Sequence, residues 1–286
     1  AYASVLAPLF AEPGLRFLDP LPRVVRTVRA LSWAWGVRRR RLRVAVVDFP
    51  GVATAPEFGI IAAAFRAQGH DATVATPADT SFDGEHLRVH GTPVDVVLRR
   101  FLLRDLRARP GACQAILDAY RARRVCLVNP LRTGLLHNKA TFALLHDPAF
   151  PLDDDERRLV SRHVPVTLLL DDATREAIRR RREDWVVKPV DAHGGEGVVL
   201  GWRVSEAGWD AALSRPGVFV AQARVSAPVA HFHDARDGAT HPRVVDTGPF
   251  LARGRLAGFL CRLAEGEIAN VSAGGASMVP VFEAVR

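Results

Sequence analysis

Lysine is almost missing from this chain of 286 residues, because Lys139 and Lys188 are the only two lysines among 39 basic side chains. A coding preference explains such a bias without any mechanism. A lysine ammonium, however, is a compact charge on a thin stem, and it fits under a phosphate where a planar guanidinium does not. The two retained lysines are therefore the first candidates for a site that binds an anion.

Cysteine and long apolar runs are also scarce. Cys113, Cys126 and Cys261 lie far apart and form no CxxC pair, which excludes a zinc ribbon or a dithiol redox motif. So few cysteines fit a reducing, cytoplasmic compartment, where they pack as small apolar groups. No run approaches about 18 apolar residues, which excludes a membrane span and disfavours a membrane partner.

The net charge of +8 comes from one stretch that lacks acidic residues. Eight arginines lie between Arg23 and Arg43, and elsewhere 31 basic residues face 31 acidic ones. Apolar side chains recur at helical spacing from Val24 to Trp35, which predicts a helix with arginines on its outer face. So local a patch disfavours a nucleic-acid-binding protein, which needs a basic face built from several elements. An anion or nucleic-acid patch is the alternative interpretation.

Strand and helix patterns alternate through the first half of the chain. We expect strands at 43–48, 71–76, 94–98 and 125–128, with helices at 57–68 and from the third strand to Ala122. This order predicts an α/β fold, in which helices cover a parallel sheet, and a domain boundary near Asn129. The Gly-x-Gly-x-x-Gly fingerprint is absent after the first strand, which disfavours a nicotinamide-dependent enzyme.

The second half has fewer helical patterns and more strands. Asp153 to Asp155 precede a predicted helix at 156–163, and a helix cap is favoured over a metal site. Strands are expected at 185–189, 198–202, 218–223 and 243–246. His231 and His233, with His241 nearby, form a possible transition-metal site, but the turn-rich stretch that follows favours a solvated loop.

One glycine-rich turn directly follows a lysine-bearing strand. The sequence reads Val186-Val-Lys188-Pro-Val-Asp-Ala-His193-Gly194-Gly195-Glu-Gly197. Glycines allow backbone N–H groups to approach an anion closely, and the lysine adds a full positive charge. This pattern indicates a phosphate site, and a plain hairpin beside an exposed lysine is the alternative.

Two further segments carry groups suited to a nucleotide. Lys139 stands at the start of a predicted helix, whose free N–H groups and dipole favour anions. A strand ends at Gln222, whose amide is able to read the edge of a heterocycle. About twenty-five residues after Lys139, the chain reads His163-Val-Pro165-Val-Thr167.

From Asn129 onward, this order of parts resembles the ATP-grasp superfamily. It is most similar to the circularly permuted branch that includes glutathionylspermidine synthase-like proteins. Three more segments support that branch. The first is Val96-Val-Leu-Arg99-Arg100, which follows Asp48-Phe-Pro and Glu57-Phe. The second is the stretch from Gly254 to Glu265, which contains Arg262, and the third is Asn270-Val-Ser-Ala-Gly-Gly275, which precedes Val279-Pro-Val-Phe.

The resemblance implies an α/β preATP-grasp-like region at 1–129 and an ATP-grasp-like clamp of two α+β subdomains at 130–286, with a lid at about 165–220. Lys139 and Lys188 would contact the α- and β-phosphates of ATP, and Gly194, Gly195 and Gly197 would cover them. Gln222 would lie along the adenine edge, His193 would contact phosphate or substrate, and Arg262 would neutralise charge on the γ-phosphoryl group. The implied enzyme is an ADP-forming carboxylate–amine ligase that uses ATP and Mg²⁺, proceeds through an acyl phosphate, and acts on small-molecule or peptide carboxylates and amines.

The metal ligands depart from that family pattern. A Glu-x-Asn pair is expected, but Glu267 and Asn270 are one residue too far apart. Asp246 and Asn270 are the candidate metal or substrate ligands, with a strand-end cap and a turn residue as the alternatives. Because the chain begins at Ala1, we expect an N-terminal part to be missing, and therefore weak or no nucleotide binding and no turnover. A non-catalytic nucleotide-binding scaffold and an arginine-rich nucleic-acid-binding protein are the competing functions.

Overall fold

The computed structural model describes residue 4 and residues 7–10, 12–234, 237–267 and 276–285. One unit of the chain comprises Ala1–Arg132, Val245–Leu263 and Ala276–Arg286, and the other comprises Thr133–Val244 and Ala264–Gly275. We call them the first and second units, and describe each by itself.

A parallel sheet lies at the centre of the first unit. The strands of its N-terminal segment are β1 (Leu15–Phe17), β2 (Arg43–Val47), β3 (Asp71–Ala75), β4 (Thr80–Phe82), β5 (Leu87–Val89), β6 (Thr92–Pro93), β7 (Val96–Arg99) and β8 (Cys126–Val128). The sheet has the order β3-β2-β7-β8, and every neighbouring pair is parallel. The predicted α/β fold and its parallel sheet are thus confirmed.

Helices cover both faces of this sheet. They are α1 (Leu21–Trp35), α2 (Ala55–Ala67), α3 (Leu103–Ala108) and α4 (Gln114–Arg121). Apolar residues of α1 and α2 pack with Val44 and Val46 on one face. Ile116 and Ala119 of α4 pack with Ala45 and Val47 on the other face. The alternation of side chains along β2 therefore builds two separate cores.

One sequence prediction for this unit was wrong in detail, and one small sheet was not predicted. The single helix expected to end at Ala122 is divided into α3, a 3₁₀ turn at Pro110–Cys113 and α4. Proline has no N–H to donate and disfavours helical backbone in the residue before it, and Arg109 accordingly has φ −137° and ψ 58°. The antiparallel sheet β4-β5-β6 was not predicted, because its strands are only two or three residues long.

An antiparallel sheet organises the second unit. Its elements are α5 (Gly134–His137), α6 (Ala140–His146), α7 (Asp154–His163), β9 (Thr167–Leu169), α8 (Asp172–Arg180), β10 (Trp185–Pro189), β11 (Val199–Leu200), α9 (Glu206–Leu213), β12 (Phe219–Ala223) and β13 (Val229–Asp234). The sheet order is β11-β10-β12-β9. Ile178 of α8 and Trp209 of α9 pack on one face against Val187 and Ala221, while α6 packs against β9 and β12.

The last strands are β14 (Ala239–Ala252), β15 (Arg255–Ala264), β16 (Ala276–Val279) and β17 (Phe282–Ala284). They continue the order β13-β14-β15-β16, and β17 pairs with β1. The chain passes from the second unit to the first within β14. Residues 231–234, expected in a loop, instead belong to the β13–β14 hairpin. Further 3₁₀ turns lie at Ala7–Phe10, Pro77–Asp79, Leu131–Thr133, Arg182–Asp184 and Gly201–Arg203.

Candidate functional site

The register of the second unit's sheet places three polar side chains on one face. Val186 of β10 lies opposite Gln222 of β12, so Lys188 is the diagonal neighbour of Gln222. Gln222 in turn lies opposite Thr167 of β9. Because side chains alternate along a strand, these residues share the face opposite the core of α8 and α9.

Hydrogen bonds join these three side chains into one network. Lys188 Nζ donates to Gln222 Oε1 at 2.7 Å, and Gln222 Nε2 donates to Thr167 Oγ1 at 3.0 Å. Thr167 Oγ1 donates to the carbonyl of Pro165 at 2.8 Å and is fully buried. The glutamine amide therefore fixes the direction of the lysine ammonium.

The second lysine is held by the loop that follows β10. Lys139 directly precedes α6, and its backbone N–H donates to the carbonyl of Val190 at 2.9 Å. Its Nζ donates to the carbonyl of Ala192 at 2.5 Å. Asn138 Oδ1 accepts the N–H of Ala140 at 2.9 Å. The structure thus brings together the two lysines that the sequence singled out.

The charges of this pair are not neutralised within the described part of the chain. Burial lowers the pKa of Lys188, and the nearby Lys139 ammonium lowers it further. Burial also lowers the pKa of Lys139, which Asp191 partly offsets. The described residues place no carboxylate in an ion pair with either ammonium, whose hydrogen-bond partners are a neutral amide and a carbonyl. An anion that bound here would satisfy both cations.

The glycine-rich turn has left-handed backbone, which favours glycine over other residues. Gly194, Gly195 and Gly197 have φ of 64°, 79° and 69°. A Cβ at residue 197 would approach Pro189 Cγ to 2.7 Å, so this turn lies tightly against the strand that bears Lys188. His193 is exposed at its start. Its role as a phosphate or substrate contact stays a prediction.

Arg262 and Asp246 form a separate group in the first unit. Arg262 Nε on β15 donates to Asp246 Oδ2 on β14 at 2.6 Å, and its terminal nitrogen contacts the same oxygen. Both side chains are more than a third exposed. The arginine is thus already neutralised by a carboxylate, in contrast to the two lysines.

The described residues do not assemble a Mg²⁺ site around the predicted ligands. Asp246 is engaged by Arg262, and Asn270 lies outside the described residues. Glu267 accepts hydrogen bonds from Trp202 Nε1 at 3.0 Å and from Arg203 Nε at 2.7 Å. Asp234, Asp237 and His241 form the one described cluster of three possible ligands, and Asp237 and His241 already contact each other at 2.6 Å. Asp246 and Asn270 therefore stay predictions.

The role of Thr167 was missed by sequence reasoning. The segment His163-Val-Pro165-Val-Thr167 was noted without a function for its threonine. A buried threonine directly opposite the glutamine of the neighbouring strand supports the network that aims Lys188. Only the strand register reveals this, because Thr167 and Gln222 are 55 residues apart.

No helix among the residues that the structure describes is long and apolar enough to cross a membrane.

Comparisons with known proteins agree with this fold. A family model described as circularly permuted ATP-grasp type 2 matches residues 59–266. A curated relative from Frankia casuarinae, named as a glutamate–cysteine ligase 2-2, is 28% identical over 272 residues, and the match covers 88% of this chain. The chain spans only 30% of that relative's length.

Solved structures with a similar arrangement were also found. A glutathione synthetase-like effector from Globodera pallida has a TM-score of 0.49 and 12% identity, with 92% of this chain and 57% of that chain covered. A RimK-domain ATP-grasp protein from Sphaerobacter thermophilus has a TM-score of 0.43 and 17% identity, with 85% and 92% covered.

Proposed function

Because the chain belongs to the circularly permuted ATP-grasp type 2 family, we propose that it supplies the nucleotide-binding part of an ATP-dependent carboxylate–amine ligase. One observation carries this proposal: two half-buried lysines lie together in the second unit, and no carboxylate of its described residues forms an ion pair with either ammonium, although Asp191 attracts Lys139 from a greater distance. A triphosphate is the anion that the family uses, and it provides several negative charges for two adjacent ammonium groups.

The chain's own groups would bind the nucleotide as follows. Lys188 and Lys139 hold the α- and β-phosphates, each through a charge-assisted hydrogen bond. The turn at Gly194, Gly195 and Gly197 offers backbone N–H groups to the phosphates. Gln222 lies along the edge of the adenine, and its side-chain carbonyl orients the Lys188 ammonium by accepting its hydrogen bond.

The proposed reaction forms an amide in two steps. A substrate carboxylate attacks the γ-phosphorus, and ADP leaves with the bridging oxygen. An amine then attacks the carbonyl carbon of the acyl phosphate, inorganic phosphate leaves, and the amine releases a proton. Arg262 would neutralise charge on the transferred phosphoryl group once Asp246 releases it. The relative's name makes glutamate and cysteine the first candidate substrates.

Magnesium is part of this chemistry in the family, where it neutralises phosphate charge. The described residues do not fit it, since Asp246 and Glu267 are already engaged, and we derive no step through it. This observation favours a second candidate function, a nucleotide-binding scaffold without catalysis. Both proposals include a cytoplasmic location. The three cysteines, which are buried and form no disulfide, support it because such thiols suit a reducing compartment.

The test separates binding from turnover. The chain is titrated with ATP by calorimetry, with and without Mg²⁺, and then incubated with ATP and pooled carboxylates and amines, while ADP and amide are measured. We expect weak ATP binding. ADP release with amide formation establishes ligase activity in this chain and contradicts the scaffold. Binding without ADP release shows that this chain alone does not catalyse, which both the nucleotide-binding part of a ligase and a scaffold predict, and no binding at all contradicts both.

A further inference from the structure

A second polar group lies at the carboxyl edge of the parallel sheet, entirely within the first unit. Strand β2 leads through Asp48 to α2, which packs on one face of the sheet. The adjacent strand β7 leads through Arg100 to α3 and α4, and α4 packs on the other face. Where neighbouring parallel strands send their chains to opposite faces, a crevice opens between their carboxyl ends, and open α/β sheets bind ligands there.

The structure places a carboxylate directly after β2 and a guanidinium directly after β7, the two strands between which the topology predicts that crevice. The N–H of Arg100 donates to the carbonyl of Val47 at 2.9 Å, so Arg100 lies directly beside the end of β2. Asp48, the residue that directly follows β2, is 6% exposed. Neither residue belongs to the lysine pair or to the glycine-rich turn of the second unit.

Both groups have unused bonding capacity. Asp48 Oδ1 accepts the N–H of Phe49 at 2.8 Å, whereas its Oδ2 makes no hydrogen bond among the described residues. Arg100 Nε is buried without a hydrogen-bond partner. One terminal nitrogen of Arg100 reaches Glu57 Oε2 only at a long 3.4 Å, and the side chain remains 34% exposed. A planar guanidinium offers five N–H donors and binds carboxylates through two of them.

Burial in this crevice disfavours the ionised form of the Asp48 carboxyl group. Burial raises the pKa of Asp48, with Arg100 and Arg109 acting in the opposite direction and Asp105 adding to the rise. A ligand ammonium would provide the opposite charge that the desolvated carboxylate needs. Arg99 also lies within the field of Asp48: burial lowers the pKa of Arg99, and the Asp48 charge opposes that shift. Its Nε donates to the carbonyl of Asn129 at 3.0 Å.

We infer that this crevice binds an amino-acid-type substrate, whose carboxylate pairs with Arg100 and whose ammonium pairs with Asp48. A zwitterion of this kind satisfies both groups at once, while a simple carboxylate or amine satisfies only one. The inference rests on the proposed function, because a ligase that joins carboxylates and amines uses such substrates.

The experiment varies both the protein and the ligand. The full chain is titrated by calorimetry with each proteinogenic L-amino acid, and the tightest binder is titrated again as its N-acetyl and carboxamide forms. Arg100→Gln should weaken binding of the amino acid at least about tenfold but leave the carboxamide unaffected, since it lacks the paired charge. Asp48→Asn should weaken binding of the amino acid similarly but leave the N-acetyl form unaffected.

Controls separate this site from the nucleotide site. Arg124→Gln, which removes an exposed arginine near the amino end of β8, should leave amino-acid binding unchanged. Lys188→Met should weaken ATP binding and leave amino-acid binding unchanged. The Asp48 and Arg100 variants should weaken amino-acid binding and leave ATP binding unchanged. If Arg100→Gln fails to fold, the nearly isosteric Asp48→Asn decides. The inference falls if no amino acid binds the wild type, or if the variants bind the amino acid as tightly as Arg124→Gln does.

Discussion

Two cationic groups of this chain differ in how their charge is balanced. Lys188 is half-buried, donates to the neutral amide of Gln222, and has another ammonium nearby. Arg262 is more exposed and contacts the carboxylate of Asp246 through two of its nitrogens. The lysine pair therefore gains from an arriving anion at once, whereas Arg262 must first give up the partner that it has.

This difference shows which predicted residues are ready to bind phosphate in the free protein. Burying an unpaired charge costs free energy, and a fold retains it where a ligand repays that cost. An exposed ion pair, by contrast, has little desolvation cost and adds little to the free energy of folding. We therefore assign the binding of ATP before reaction to the two lysines. Any role of Arg262 would come during transfer of the phosphoryl group.

The largest expected effect is on ATP affinity. Lys188→Met removes a charge-assisted hydrogen bond worth about 1.5–3 kcal/mol, so ATP affinity should fall roughly 10- to 150-fold. Arg262→Gln should change it less than about fivefold, because Asp246 already engages this exposed guanidinium and an exposed ion pair with a phosphate would contribute at most about 1 kcal/mol. Calorimetric titration measures both.

Arg180→Met is the matched control for this prediction. Arg180 lies on α8, which packs on the other face of the sheet, and its side chain is 75% exposed. Its loss should not alter ATP affinity. Equal effects of the Lys188 and Arg262 variants would break the distinction drawn between the two cations.

The next effect concerns the glycine turn beside Lys188. Gly197 and Gly238 both have φ +69°, but a Cβ would contact Pro189 only at residue 197. Gly238→Ala should lower the free energy of unfolding by about 1 kcal/mol, the cost of left-handed backbone. Gly197→Ala should lower it by about 2–3 kcal/mol, because the contact at 2.7 Å adds to that cost.

Urea denaturation of both variants measures this difference. Equal losses for Gly197→Ala and Gly238→Ala would show that the turn is not held against β10, and would remove the structural link between the glycines and Lys188.

The smallest expected effect is a pH dependence of stability. Folding lowers the pKa of Lys188 from its ordinary 10.5, so between the two values the unfolded chain binds more protons than the folded chain. The free energy of unfolding therefore rises with pH in that range, and the penalty for burying the ammonium disappears. Relative to Lys188→Met, the wild type should gain stability as the pH approaches 10.5. A difference that stays constant, or changes in the other direction, would contradict the lowered pKa.

Much of the fold follows from local sequence rules. Asp153 accepts the N–H of Glu156 at 2.8 Å in a capping box, so the helix cap predicted from three aspartates is confirmed. The parallel strands were found because buried apolar runs alternate with helical spacing. The strands β4 to β6 were missed because two or three residues show no periodicity.

The candidate site was predictable only in part. The rarity of lysine pointed to Lys139 and Lys188, and the structure brings them together. The role of Thr167 in orienting Gln222 was not predictable, because their hydrogen bond depends on the pairing of strands that are distant in sequence. The engagement of Asp246 by Arg262 likewise comes from the β14–β15 hairpin and not from any motif.

The central claim is that the lysine pair is an anion site that awaits a nucleotide. Because the chain has only two lysines, labelling lysine with ¹³C gives one ε-carbon signal for each, and Lys188→Met assigns them. We predict that both pKa values lie below 10.5 in the free protein, and that ATP shifts both signals and raises both pKa values. Signals that keep their positions and pKa values throughout an ATP titration would contradict the account.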